Sequence, residues 1–280
     1  MQIFITGASG YIGGSVAAAL IAAGHSVSGL TRSVATAEAL SARGITPVGG
    51  TLDDAAVLAS AAQAADVTIG AANADHRASA EAIVTALTGS GKTYLHTSGS
   101  SIVGTPADGE FVPAIFDEDT PFTPSPARVA RVAIDAMVRG AQGMRGMPWL
   151  IALARKVGIA KHIGPGENRW ANVHIDDLVP LYLLAIAKAP PGGFYFAENG
   201  EASMREVCEA ISRMLGQGGR TEAMSVAEAA AEWGEGAARN TMGSNSRVRA
   251  KRALADLGWM PSASSLFDEI AHGCYASDGG

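Results

Sequence analysis

Apolar and polar positions come in alternating blocks along the first hundred residues. Ile3, Phe4 and Ile5 form a compact apolar run of the kind shown by a strand buried on both faces, and residues 12–23 read as a helix stopped by Gly24. The alternation continues. Residues 26–30, 45–48, 66–71 and 93–97 read as strands, and residues 35–42, 53–64 and 78–87 as helices, with Asp53 as an N-cap. Five strands separated by helices imply right-handed crossovers, hence an α/β, doubly wound parallel sheet with helices on both faces. A ligand of such a sheet lies beyond the carboxyl ends of its strands.

The second half has a different texture. "WLIALARKV", "DLVPLYLLAIAKA", "SMREVCEAISRML" and "RVRAKRALADLG" show helical periodicity, with one strand expected at residues 193–197. The expected organisation is therefore a nucleotide-type domain over residues 1–147. A smaller, mainly helical lobe would follow over 148–280, with elements returning to the main sheet. No internal repeat exceeds the strand-helix alternation.

Composition narrows the class. The chain has 280 residues, 48% hydrophobic and 17% charged, with a net charge of −6. That surface gives no reason to expect nucleic acid or an anionic membrane as partner. No apolar run reaches the ~18 residues of a membrane span, and the first residues lack a signal-peptide pattern, so a cytoplasmic protein is expected. Cys208 and Cys274 lie far apart, outside any Cys-x-x-Cys pairing, which suits a reducing compartment and excludes a zinc ribbon.

Candidate chemistry gathers at the strand ends. Between the first strand and helix stands Thr6-Gly7-Ala8-Ser9-Gly10-Tyr11-Ile12-Gly13. The spacing alone means little in a chain with 34 glycines, and Gly140, Gly143 and Gly146 repeat it with no strand before them. The strand-to-helix context gives it weight: one glycine turns the chain, the next lets backbone approach a pyrophosphate, and the third lets helix pack on strand. The free N–H groups of the new helix then face the phosphates. At the second strand's end Thr31 and Arg32 occupy the place where an NAD-binding fold carries an acid, and an arginine there suits the 2′-phosphate of NADP, with NAD the weaker choice. Leu52 and Asp53 border the adenine position, unless Asp53 is only a helix cap. Ala71, Ala72 and Asn73 end the fourth strand with side chains small enough for a dinucleotide to cross the sheet.

These residues resemble a known family. The glycine turn, "TLDD" after the third strand, "AAN" after the fourth and "TSGSSIVG" after the fifth look like the short-chain dehydrogenase/reductase superfamily. "ANVHIDDLVPLYLLAI" and "LADLGWMPSASSLFDEI" are similar to its extended and atypical branch, the NAD-dependent epimerase/dehydratase group. The resemblance covers nearly the whole chain and implies a Rossmann domain under a substrate lobe. It also implies a Ser or Thr that orients substrate, and a Tyr-x-x-x-Lys pair that exchanges a proton and holds the ribose. No Tyr-x-x-x-Lys exists here. Taking Asp135 as the acidic residue four positions after the family lysine puts Arg131 in the lysine place and Ala127 in the tyrosine place. Arginine can bind a ribose but cannot cycle a proton. Ser98 and Ser100 flank the usual hydroxyl position, Ser98 being preferred for its place at the strand end.

Other polar residues have plainer readings. His96 lines the active site or is hydrogen-bonded core. His174, Asp176 and Asp177 resemble metal ligands in type, but Asp176 suits a helix N-cap, and no metal is expected. "FDEDT" reads as an exposed loop. The family's sixth strand is missing: "GAQGMRGM" runs straight into the helix "PWLIALARKVG". An unfilled sheet position is costly, so residues are expected to be absent from the chain near Met147 and Pro148.

Three classes follow: an NADP-dependent oxidoreductase or epimerase with a small-molecule substrate (a carbonyl or hydroxyl compound, or a nucleotide sugar), a non-catalytic dinucleotide sensor, and a methyltransferase. Arg32 argues against the third, and the enzyme is favoured over the sensor. A homodimer is the assembly considered.

Overall fold

In a computed structural model of the chain, residues 1–138, 147–273 and 275 are described, 147–149 without their side chains. The first hundred residues form β1 (Gln2–Thr6), α1 (Tyr11–Ala22), β2 (Ser26–Thr31), α2 (Val34–Ala42), β3 (Thr46–Gly49), α3 (Ala55–Ala64), β4 (Val67–Gly70), α4 (Arg77–Leu87) and β5 (Thr93–His96). The five strands make one sheet in the order β3-β2-β1-β4-β5, every pair parallel. Strand periodicity sends Ile3 and Ile5 to one face of β1 and Phe4 to the other. Ile3 and Ile5 join Val16, Leu20, Leu178 and Trp259, whereas Phe4 packs with Leu58, Ala62 and Ile83. Both faces of β1 are covered, which is why its interior residues are all apolar.

After β5 come a short 3-10 turn at Ser100–Val103, α5 (Val129–Val138), α6 (Met147–Val157) and α7 (Ile175–Lys188). Helix α7 lies on the α1 side of the sheet, so part of the second half is built into the first core. A separate cluster holds Leu150, Ile163, Val207, Ile211, Met224 and Ile270 around a parallel pair of strands, Ala160–Ile163 and Thr221–Met224.

Several expectations need correction. Helix α3 starts at Ala55, not at residue 53, because the Asp54 carboxylate folds back to accept hydrogen bonds from the Thr51 N–H (2.6 Å) and hydroxyl (2.8 Å). The N-cap of α7 is His174, whose Nδ1 accepts from the Asp176 N–H at 3.1 Å, and Asp176 sits in the first turn. The strand expected at residues 193–197 does not form: Tyr195, Phe196 and Ala197 are buried but have no strand to pair with. Among the described residues no C-terminal strand joins the main sheet. "FDEDT" is not simply solvated. Glu118 accepts from the Phe196 N–H (2.8 Å) and the Arg252 N–H (3.2 Å), burial raises its carboxyl above the usual range, and Asp119 pairs with Lys251 and Arg252. The expected omission beside Met147 adjoins residues 139–146, which lie outside the described residues.

Candidate functional site

The parallel register brings the ends of three strands level, with Thr6 beside Gly70 and Gly70 beside His96. The next residues, Gly7, Ala71 and Thr97, therefore stand in a row along the carboxyl edge of the sheet, about 5 Å apart from strand to strand.

The glycines of the first turn have separate roles. Gly7 has φ +83°, and a Cβ there would lie 2.7 Å from the Ala71 carbonyl carbon. At Gly13 a Cβ would collide with the Gly7 carbonyl oxygen. These two are required by the fold itself. Gly10 differs: its backbone is ordinary (φ −83°, ψ 175°), and a Cβ would meet only the Gly7 oxygen, at 3.2 Å. Among the described residues nothing else lies near that Cβ position, so nothing there strictly demands a glycine. Gly10 is the N-cap of α1, which has neither a side-chain cap nor an acid in its first turn. The helix thus begins without a side-chain cap, its positive dipole end beside Ser9, Gly10 and Tyr11, all exposed.

Around this turn, Thr31 is buried at the end of β2 and Arg32 is exposed, with no carboxylate partner among the described residues. Ser33 caps α2, accepting from the Thr36 N–H at 3.2 Å. Leu52 packs against the Phe4 cluster. Asp53 is exposed and lies 3.2 Å from His76 Nε2, so its side chain takes no part in capping α3. Ala71 and Ala72 are half-buried, and the Asn73 side chain accepts from the Asp75 N–H at 2.9 Å. The structure thus gathers Gly7 to Gly13, Thr31, Arg32 and Ala71 to Asn73 at the carboxyl edge.

Beyond β5 lies a buried polar cluster. The Ser98 hydroxyl donates to Asp135 Oδ2 at 2.6 Å, and His96 Nε2 stands 3.8 Å from Asp135 Oδ1. Burial, opposed by the Ser98 hydrogen bond, pushes the Asp135 carboxyl up to about 6. Burial also drives the His96 imidazole down to about 4, so the ring is neutral at pH 7. Among the described residues Asp135 Oδ1 and His96 Nε2 have no hydrogen-bond partner. Arg131 lies alongside: its guanidinium makes a bidentate contact with Asp75 and donates to Ser101 Oγ at 3.2 Å. That contact holds the Asp75 carboxyl below the usual carboxylate range. Ser100 is buried in the 3-10 turn, and Ala127 lies in the turn Pro126–Arg128 before α5. The Asp135–Ser98 pair spans 37 residues, and no local pattern in the sequence announces it.

The two C-terminal motifs meet each other. Asp177, buried at the start of α7, accepts from Asn199 Nδ2 (2.9 Å) and from the N–H groups of Ser262 (2.7 Å) and Ala263 (3.0 Å). Trp259 Nε1 donates to the Asp177 carbonyl at 2.7 Å. "VHIDDL" and "LGWMP" thus form one structural clasp. Among the described residues no group of three His, Cys, Asp or Glu side chains could hold a metal, and no helix is long and apolar enough to cross a membrane.

Known proteins match this arrangement. Residues 1–99 match the NmrA-like family. An oxidase from an Acremonium species is 30% identical, over 96% of this chain and 95% of its own. An uncharacterised protein of Schizosaccharomyces pombe is 28% identical, over 98% of this chain and its whole length. The dTDP-glucose 4,6-dehydratase of Bacillus anthracis, solved with NAD, shares the fold with a TM-score of 0.75 at 15% identity, over 99% of this chain and 96% of its own. The chain belongs to one family with the Acremonium oxidase, its residues 1–99 are NmrA-like, and it shares the Rossmann-type fold of the dehydratase.

Proposed function

We propose that the chain is an NADP(H)-dependent oxidoreductase acting on a small carbonyl or hydroxyl compound. The observation that carries this reading is the turn at Gly7, Gly10 and Gly13, where the fold explains two glycines and leaves the third facing open space at an uncapped helix start. A dinucleotide fits it. Gly10 with the N–H groups of Tyr11 and Ile12 would hold the pyrophosphate, beside Ser9. Arg32, without a carboxylate partner, would take the 2′-phosphate as a bidentate, charge-assisted contact next to Thr31. Leu52 and Asp53 would border the adenine, and Ala71, Ala72 and Asn73 would leave room across the sheet. The bound cofactor would supply hydride exchange at a carbinol or carbonyl carbon.

The chain's own residues would handle the proton. Ser98 orients the substrate oxygen, with Ser100 the neighbouring candidate, and Asp135 behind Ser98 accepts or returns a proton near its pKa of about 6. Arg131 keeps its charge and sets the local field. The Acremonium relative's description as an oxidase supports redox chemistry. The test is an NADPH-oxidation screen across aldehydes, ketones and nucleotide sugars. Turnover lost in Ser98→Ala supports the assignment, and turnover unaffected by Ser98→Ala and Ser100→Ala removes it.

One observation favours a second reading, a dinucleotide-binding sensor without catalysis. Arg131 is held by Asp75 and Ser101, and Ala127 offers no proton. A silent screen together with intact NADPH binding selects the sensor.

A further inference from the structure

Three ionisable side chains stand in a row on one face of the helix that carries Asp135. Arg128, in the turn that leads into α5, Arg131 and Asp135 follow the spacing i, i+3, i+7 of a helical face. Two of them are matched. Asp135 accepts from the Ser98 hydroxyl, and Arg131 is held by both oxygens of Asp75. Arg128 reaches across to the second half of the chain, where its Nη2 donates to the Asn240 carbonyl at 3.1 Å, in the turn Ala238–Met242. It therefore stands between the two halves, one helical turn from Arg131.

That guanidinium is left unmatched. Its Nε is buried and has no hydrogen-bond partner among the described residues, and no described carboxylate forms an ion pair with it. Burial and the Arg131 charge both lower its pKa, and Asp75, which opposes them, already binds Arg131. Residues 139–149 contain no Asp or Glu. A charge withdrawn from water without a partner is costly, and an anion relieves that cost. The Nε–H and one Nη2 proton of a guanidinium form a planar fork that a carboxylate fills with two parallel bonds. One free positive charge matches a carboxylate, whereas a phosphate monoester brings nearly two negative charges. Arg128 and Asp135 are about 10 Å apart along the helix, so a molecule that reaches both Ser98 and Arg128 is longer than a 2-oxo acid.

We propose that Arg128 anchors a carboxylate of the substrate, an oxo acid or hydroxy acid whose reacting carbon lies several bonds from that carboxylate. The carbonyl or hydroxyl oxygen sits at Ser98, and the carboxylate fills the Arg128 fork. The placement of the reacting end rests on the oxidoreductase reading, whereas the carboxylate site stands without it.

Calorimetric titration of the intact protein with hexanoate, which has no carbonyl to reduce, tests the site apart from the chemistry. Hexanoate should bind on the order of tenfold more tightly than hexanamide, and Arg128→Gln should remove that preference. Should Arg128→Gln fail to fold, Arg128→Lys decides: it keeps the charge without the fork, and most of the preference is lost. With NADPH present, 6-oxohexanoate should show a KM on the order of tenfold below that of its methyl ester in the wild type, and the same KM as the ester in Arg128→Gln. A hexanoate preference that depends on Arg128, with no turnover of either compound, keeps the carboxylate site and removes the oxidoreductase reading. The proposal is overturned if hexanoate does not bind, if it binds no better than hexanamide, if its preference survives the substitution, or if hexyl phosphate binds more tightly than hexanoate.

Discussion

His96 and Asp135 should pull the pH dependence of stability in opposite directions. His96 has a folded pKa of about 4 against 6.5 for the free group. Between those values the unfolded chain holds a proton that the native protein lacks, so this residue makes stability rise with pH and loses its contribution as pH falls from 6.5 towards 4. Asp135 is raised from 3.8 to about 6. Over that interval the native protein holds the extra proton, so its contribution is present below 3.8 and is lost as pH rises through 6. Both groups are buried, and each shift corresponds to about 3 kcal/mol. From pH 4 to 6 the two slopes cancel in the wild type. Urea unfolding at pH 4, 5, 6 and 7 exposes them separately. His96→Gln should lose about 3 kcal/mol between pH 4 and 6, and Asp135→Asn should gain about the same between pH 4 and 6.5. If both variants keep the wild-type slope, burial does not perturb these groups as described.

Two further predictions separate fold from site. Gly13→Ala must displace the Gly7 carbonyl and should lower the melting temperature sharply, whereas Gly10→Ala should cost only about 1 kcal/mol of helix capping and still abolish dinucleotide binding, as read by thermal denaturation and fluorescence titration. Asp177→Ala strands three donors and should cost about 3–5 kcal/mol in urea unfolding, against less than about 1 kcal/mol for the exposed Asp176→Ala.

The alternation of the first hundred residues was legible because short strand-like runs, buried most completely at β1 and β4, alternate with helix-like stretches, and all five strands stand within two residues of their expected ends. Boundaries slipped where a side chain, rather than the hydrophobic pattern, sets the turn: Asp54 folding back on Thr51, and His174 taking the cap of α7. The segment 193–197 carries a strand-like sequence, but a strand needs a neighbour, and among the described residues none pairs with it. The glycine turn was legible as a motif, while the division of labour among its glycines needed the distance from each absent Cβ to the next backbone atom. Asp135 entered the sequence reading only as an alignment mark. Its bond to Ser98 depends on α5 packing against β5, a contact between segments far apart in the chain.

The central claim is that the carboxyl edge of the sheet holds a dinucleotide with its 2′-phosphate on Arg32. Fluorescence titration of the wild type and Arg32→Ala with NADPH and NADH tests it most directly. NADPH should bind the wild type on the order of tenfold more tightly than NADH, and Arg32→Ala should remove that preference while leaving NADH binding unchanged. Equal wild-type affinities, or a preference that survives the loss of Arg32, would contradict the claim.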